Sequence, residues 1–265
     1  MKLGEAEAIF PYASLSKVAV FCPGCGAENT SERITDRYGY EVFMARCRTC
    51  TLWYLAEQLT REGYDQLYAG KYRELVGAYS KHYSNKPRTE VNGFWLYVLR
   101  EGGVSKIHSI LDAGGSTGII GQQVAQAYGG AALTILDPAA HEFPIGQHLR
   151  GYLEDPISGT YDLALCIDTM DHLTQPLRAL ANLRAVSTTL LLNYIDVGKR
   201  AREGCLADVK IDHPLYWNAR AMQHVLTQTG WRIRARRFGR RIPPPHAYVS
   251  TVLVCEHASS SPKDA

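Results

Sequence analysis

From residue 107 onward, short apolar runs alternate with amphipathic stretches. The runs are IHSILDA (107–113), ALTILD (132–137), YDLALCID (161–168), TTLLLNYI (188–195), WRIRARRF (231–238) and AYVSTVLVCE (247–256). Between them IIGQQVAQAYG (119–129), TQPLRALANLRAV (174–186) and NARAMQHVLTQTG (218–230) carry apolar residues at helical spacing. Apolar strands alternating with amphipathic helices predict an α/β fold with a mostly parallel sheet covered on both faces. The last two runs are joined only by a short turn containing Pro243, Pro244 and Pro245. Parallel strands need a crossover of a dozen or more residues, so this pair is predicted antiparallel.

Upstream the pattern differs. VAVFC (18–22) and YEVFMARC (40–47) predict short strands, and residues 62–83 and 92–103 are aromatic and helix-prone. Residues 1–17 look like a loose leader, and SSSPKDA at the end looks disordered. The predicted organisation is therefore a module at 1–56, a helical connector or lid at 57–104, the main α/β domain at 105–257 and a tail at 258–265.

Composition narrows the function classes. Of 265 residues, 46% are apolar and 21% charged, as in globular proteins. Lys+Arg exceeds Asp+Glu by 29 − 26 = 3, too small a surplus to argue for nucleic acid as a partner. No apolar run reaches the roughly 18–20 residues of a membrane span. The N-terminus lacks a signal-type apolar core, so the expected compartment is the cytoplasm.

Seven cysteines are an odd number, and four of them form two CxxC pairs: Cys22-Pro-Gly-Cys25 and, 21 residues on, Cys47-Arg-Thr-Cys50. A CxxC turn offers two thiolates to one ion, and two such turns complete the tetrahedron that Zn²⁺ prefers, with no position left for water. This predicts a structural zinc site in a zinc-ribbon module, with Gly24 and Gly26 easing the turn. Four free thiols would not need matched spacing, and a redox CxxC usually comes singly ahead of a helix.

The stretch SILDAGGSTGIIGQQVAQAYG joins a strand to a helix through a glycine-rich loop. Gly114 and Gly118 allow a tight turn and close approach to a ligand. The loop is not a clean GxGxxG and has no GK[ST], which disfavours NAD and ATP; it reads as DxGxGxG with Ser116 at the middle glycine. Asp112 precedes the loop, and Asp137 closes the next strand 19 residues after Gly118. An acid there can accept hydrogen bonds from ribose hydroxyls. An ordinary βα turn is the plainer reading of the loop alone.

With these segments in order, the chain resembles the class I S-adenosylmethionine-dependent methyltransferases, in the branch with an N-terminal zinc-binding module that includes sugar and natural-product methyltransferases. The matching text is CPGCG…CRTCTLWYL, LYAGKYREL, LDAGGSTG, YDLALCIDTMDHLTQPLRAL and DHPLYWNARAMQHVLTQTGW, over roughly 19–257. Thr51 and Ser116 stand where the family has Gly, and Asp171 where it usually has Glu. The resemblance implies a Rossmann-like sheet whose last strand is antiparallel. It also implies cofactor contacts from the Asp112–Gly118 loop, Ser116 included, and from Asp137 and Asp168, with Leu153 and Glu154 bordering the adenine.

His172 follows a strand's carboxyl end, where ligands bind in open α/β sheets, and imidazole titrates near neutrality. It is the candidate general base, with Asp171 and His213 as further catalytic candidates; a helix-capping or packing role is the rival reading for His172, and a turn role for His213. Tyr68, Tyr72, Tyr79, His82 and Tyr83 could cover the cofactor as a lid or simply pack on the sheet. Arginines at 232, 234, 236, 237, 240 and 241 could bind a phosphate-bearing substrate or RNA, but on a strand 232, 234 and 236 share one face and also suit solvent. The expected function is methyl transfer to a small molecule: a sugar, nucleotide sugar or natural-product intermediate. An RNA methyltransferase and a non-catalytic zinc- or cofactor-binding protein are the competing readings.

Overall fold

The computed structural model describes residues 3–79, 94–139, 146–198, 208–241 and 249–258. His82, Tyr83, Cys205, the proline turn and residues 259–265 of the expected tail lie outside these described residues.

The chain opens with α1 (Leu3–Ile9) and a 3₁₀ turn (Tyr12–Ser14), followed by β1 (Lys17–Ala19), β2 (Ser31–Thr35), β3 (Glu41–Arg46), β4 (Trp53–Leu55) and β5 (Glu57–Leu59). Helix α2 (Arg61–Gln66) runs through a kinked turn (Leu67–Lys71) into α3 (Tyr72–Tyr79), and α4 (Phe94–Glu101) precedes the main sheet. Then come β6 (Ser109–Ala113), α5 (Ile119–Ala127), β7 (Ala132–Asp137), β8 (Gln147–Arg150), β9 (Tyr161–Cys166), α6 (Pro176–Val186) and β10 (Ser187–Asp196). The chain continues through β11 (Leu215–Tyr216), α7 (Ala219–Gln228), β12 (Trp231–Arg241) and β13 (Val249–His257).

Seven strands form the main sheet in the order β12-β13-β10-β9-β6-β7-β8. The pairs from β8 to β10 are parallel, and β13 runs antiparallel to both β10 and β12. This is the mostly parallel α/β sheet with an antiparallel last strand expected from the sequence. The central strands are apolar on both faces: Leu190, Leu191 and Leu192 in β10 are fully buried because helices cover each side. Asn218 caps α7 by accepting from the amides of Arg220 and Ala221, and the helix turns Ala221, Met222, Val225 and Leu226 inward. Two buried tryptophans are satisfied: Trp217 Nε1 donates to Met170 O (2.9 Å) and Trp231 Nε1 to Leu180 O (3.0 Å).

Residues 1–17 are not a loose leader over the part that is described. Ala6, Phe10 and Tyr12 are buried, and Tyr40 donates its hydroxyl hydrogen to Phe10 O at 2.8 Å. The apolar face of this helical segment meets the aromatic residues of the small sheet, an interaction that the segment's own composition does not disclose.

A four-stranded sheet, β11-β4-β3-β2, holds the cysteine module, and its edge strand β11 comes from residues far downstream. Several bonds tie this module to 208–218. Arg37 pairs with Asp208, and the amide of Ile211 donates to Asp36 Oδ2 (3.1 Å). Leu55 N donates to Pro214 O (2.9 Å), and Asn218 Nδ2 donates to Thr51 O (2.7 Å). The cysteines and Leu52 also share one apolar cluster with Leu173, Trp217 and Val225.

At one edge of the main sheet, the arginine run lies on β12. Arg232 and Arg234 pair with Glu256, and Arg237 pairs with Glu101. Residues 232, 234 and 236 are all exposed, as the alternation predicts. Among the described residues no helix is long and apolar enough to cross a membrane.

Candidate functional site

The carboxyl ends of β6, β7 and β9 converge on one edge of the sheet. Strand β6 ends at Ala113 and the loop turns sharply: Gly114, Ser116 and Gly118 have φ of 74°, 51° and 76°. Left-handed backbone costs a glycine little, whereas Ser116 bears a strain that side chains usually avoid. A Cβ at Gly114 would sit 2.5 Å from the Thr169 side chain, so this loop touches the end of β9 and leaves no room for a larger residue.

Two acids hold the loop. Asp112 is buried and its Oδ2 accepts from the Gly121 amide at 3.1 Å; burial pushes its carboxyl up to about 7. Asp137, at the end of β7, accepts from the Ser116 amide (2.8 Å) and the Ala139 amide (2.9 Å). Asp137 is thus already aimed at the loop from the neighbouring strand.

Asp168 follows β9 with φ 54° and is exposed. Asn193 of β10 grips it from both sides, its Oδ1 accepting from the Asp168 amide (2.6 Å) and its Nδ2 donating to Asp168 Oδ1 (2.7 Å). A non-glycine left-handed residue at a strand's carboxyl end, fixed by a buried asparagine, is the kind of stored strain found at functional sites.

Leu153 and Glu154 are both buried. Glu154 Oε1 accepts from the Thr174 amide (3.0 Å), the Thr174 hydroxyl (3.2 Å) and the Gln175 amide (3.4 Å). Its charge therefore sits at the start of α6, where the helix dipole favours an anion. The Leu153 carbonyl accepts from Asn182 Nδ2 (2.9 Å).

Beside the loop lies a polar group in which Asp212 is buried and Asp171, His172 and His213 are half-buried. Asp171 Oδ2 and His213 Nδ1 are 2.8 Å apart, and His213 Nε2 is 3.4 Å from both Asp212 Oδ2 and Lys210 Nζ. The rings of His172 and His213 meet edge-on with centroids 4.4 Å apart. Burial opposes the charge on Asp171, but the attraction and hydrogen bond of His213, with help from His172 and Lys210, outweigh it and hold the carboxyl well below the usual range. Asp212 is held low by His213, Lys210 and His172 against the same burial. Burial, then His213, holds the His172 imidazole below its usual value, although Asp171 and Asp212 pull the other way. His172 is therefore a neutral imidazole near pH 7, able to accept a proton.

The three catalytic candidates thus come together, although His213 is 41 residues from His172 in sequence (213 − 172). Sequence reasoning missed two partners. Tyr68 Oη is 3.1 Å from His172 Nδ1, and Tyr72 meets the same ring edge-on at 5.9 Å. Both were named from the sequence as lid or packing residues, but not as neighbours of His172. Nothing local signals the grip of Asn193 on Asp168. One donor atom each from Asp171, His172 and His213 also lies within 4.8 Å of the others. The Asp171–His213 hydrogen bond and the nearby Lys210 ammonium suit a proton-handling network better than a cation.

The four cysteines form a second site. One Sγ from each of Cys22, Cys25, Cys47 and Cys50 lies within 4.8 Å of the others, with Cys22–Cys50 and Cys25–Cys47 both at 3.4 Å. Tetrahedral thiolates at about 2.3 Å from an ion lie about 3.8 Å apart, so this set fits one tetrahedral metal. Gly26 (φ 75°) and Thr51 (φ 68°) turn the chain after each pair. At the second turn the left-handed residue is Thr51, its hydroxyl hydrogen-bonded to Asn218 Oδ1 at 3.1 Å.

No protein-family model matches this sequence, and no curated protein matches it. Among solved structures, the magnesium protoporphyrin IX methyltransferase of Synechocystis PCC 6803 is 14% identical, with 73% of this chain and 94% of that chain covered at a TM-score of 0.49. A SAM-dependent methyltransferase of Methanosarcina mazei is 13% identical, covering 63% of this chain and 98% of that one at 0.48. The O-methyltransferase of a Brevibacillus brevis polyketide synthase is 10% identical, covering 61% and 70% at 0.47.

Proposed function

We propose that this chain is a methyltransferase that uses S-adenosylmethionine on a small molecule, with His172 as general base and Zn²⁺ in the cysteine knuckle. The observation that carries the reading is one of position: the strained glycine loop, Asp137, Asp168 and the neutral, half-buried His172 gather at the carboxyl ends of adjacent parallel strands.

The donor set suits an adenosyl amino acid. Bound there, S-adenosylmethionine supplies an electrophilic methyl group on its sulfonium. The Asp112–Gly118 loop would hold the cofactor's amino-acid part and ribose, and Asp137 would accept from the ribose hydroxyls. Leu153 and Glu154 would border the adenine, with Asp168 as a further contact. His172 takes a proton from the acceptor as its nucleophilic atom is alkylated, while Asp171 fixes the orientation of His213 beside it. Methyl transfer asks the protein chiefly for alignment and proton removal.

The acceptor class is a sugar, a nucleotide sugar or a natural-product intermediate. The engagement of Arg232, Arg234 and Arg237 by Glu256 and Glu101 supports a small acceptor over RNA. Four zinc-bound thiolates suit a reducing compartment, the cytoplasm.

The test is incubation with methyl-labelled S-adenosylmethionine and a size-fractionated cell extract. Label among small molecules is expected; label on RNA or protein overturns the acceptor class. His172→Ala is expected to lower kcat by about 10²–10⁴ while leaving cofactor affinity unchanged, and unchanged turnover removes His172 as the base.

A further inference from the structure

The connector helix kinks in the turn Leu67–Lys71, within the site. Gly70 sits at φ 131°, a conformation open in practice only to glycine. Tyr68 lies on this turn and Tyr72 directly follows it, and both rings face His172, with centroids at 6.4 and 5.9 Å. His213 closes another side of the imidazole at 4.4 Å. Boxed in this way, the ring has few alternative orientations.

A neutral imidazole carries one proton, and the nitrogen that holds it decides what the other can do. With the proton on Nε2, that atom donates and cannot act as a base. With the proton on Nδ1, Nε2 presents a lone pair. Tyr68 Oη is 3.1 Å from Nδ1.

We propose that Tyr68 is a positioning residue for His172, its phenol oxygen accepting the Nδ1–H hydrogen bond so that Nε2 is left as the basic atom. This inference rests on the reading of His172 as base. An acceptor at Nδ1 also stays paired when His172 gains its second proton, whereas a donor there would lose its partner. Tyr68 therefore serves both halves of a proton-transfer cycle. The phenol stays protonated and uncharged, since burial lifts it well above its ordinary value. The other titrating or charged groups facing His172 are His213, Asp171, Asp212 and Lys210, with Tyr72 edge-on.

The test is ¹⁵N NMR of histidine-labelled protein, with the His172 signals assigned from their loss in His172→Gln. In the wild type the Nδ1–H tautomer is expected to predominate. In Tyr68→Phe, which keeps the ring and removes the oxygen, the ratio is expected to move severalfold toward Nε2–H. Loss of an acceptor destabilises the imidazolium, so the acidic limb of kcat/KM moves to lower pH; kcat falls about tenfold and KM for S-adenosylmethionine holds. Equal tautomer ratios in the two proteins overturn the proposal. So does a wild-type His172 that is mainly Nε2–H, a measurement that needs no variant to fold. A tautomer shift in a protein that methylates nothing supports the positioning role and refutes the methyl-transfer reading instead.

Discussion

The cysteine knuckle and the histidine group are both small, partly buried sets of side chains, yet they are built in opposite ways. The knuckle draws its four sulfurs from two tight turns, each within four residues of chain. The histidine group draws Tyr68 from the kinked turn, Asp171 and His172 from the loop after β9, and Asp212 and His213 from the approach to β11. Local geometry suffices for the first, and tertiary structure must assemble the second. The two are coupled, because the small sheet that carries the knuckle also holds 208–218, and with it His213. Asp36 receives the Ile211 amide, β4 pairs with β11, and Thr51 meets Asn218. A structural metal here would position a catalytic segment as well as its own loop.

Breaking the knuckle should therefore have the largest effect. Cys47→Ser, or removal of metal by a chelator, is expected to cost several kcal/mol and to lower Tm by on the order of 10 °C or more. Elemental analysis should find one zinc per chain in the wild type. A chain that is metal-free yet equally stable would separate the two regions.

A smaller and pH-dependent effect is expected at Asp112. Its folded pKa of about 7 lies above that of an unfolded carboxyl, near 3.9. The folded state therefore holds the proton more tightly, and stability falls as pH rises from about 4 to about 7. Asp112→Asn removes this penalty. Melting curves should show it more stable than the wild type at pH 8 by on the order of a few kcal/mol, with little difference at pH 4; the same gain at both pH values would refute the charge explanation.

The smallest effect tests the joint between the regions. Asn218→Ala removes the α7 cap and the bonds to Thr51, and is expected to cost about 1–2 kcal/mol in denaturant unfolding. No change in midpoint would mean that the joint adds nothing to stability.

Much of the fold was legible in the sequence because the main strands are continuous apolar runs between helices with clear amphipathic spacing. The antiparallel turn of β12 and β13 followed from the shortness of their connection. Strand β8, QHLR, was not legible, since it has neither an apolar run nor alternation. Nor was β11, two residues that form a strand only because β4 offers an edge. The packing of Phe10 and Tyr12 was hidden for the same reason: their partners lie on another segment. In the site, the cysteine pairs and the glycine loop announce themselves by spacing. The contact of Tyr68 with His172 joins residues 104 apart, so spacing cannot reveal it.

The most direct test of the central claim is a calorimetric titration of the zinc-loaded protein with S-adenosylmethionine, repeated with Asp137→Ala. The account predicts saturable binding at one site per chain, weakened at least tenfold in the variant, or roughly 1.4 kcal/mol. No binding by the folded wild type, or equal affinity in the two proteins, would contradict it.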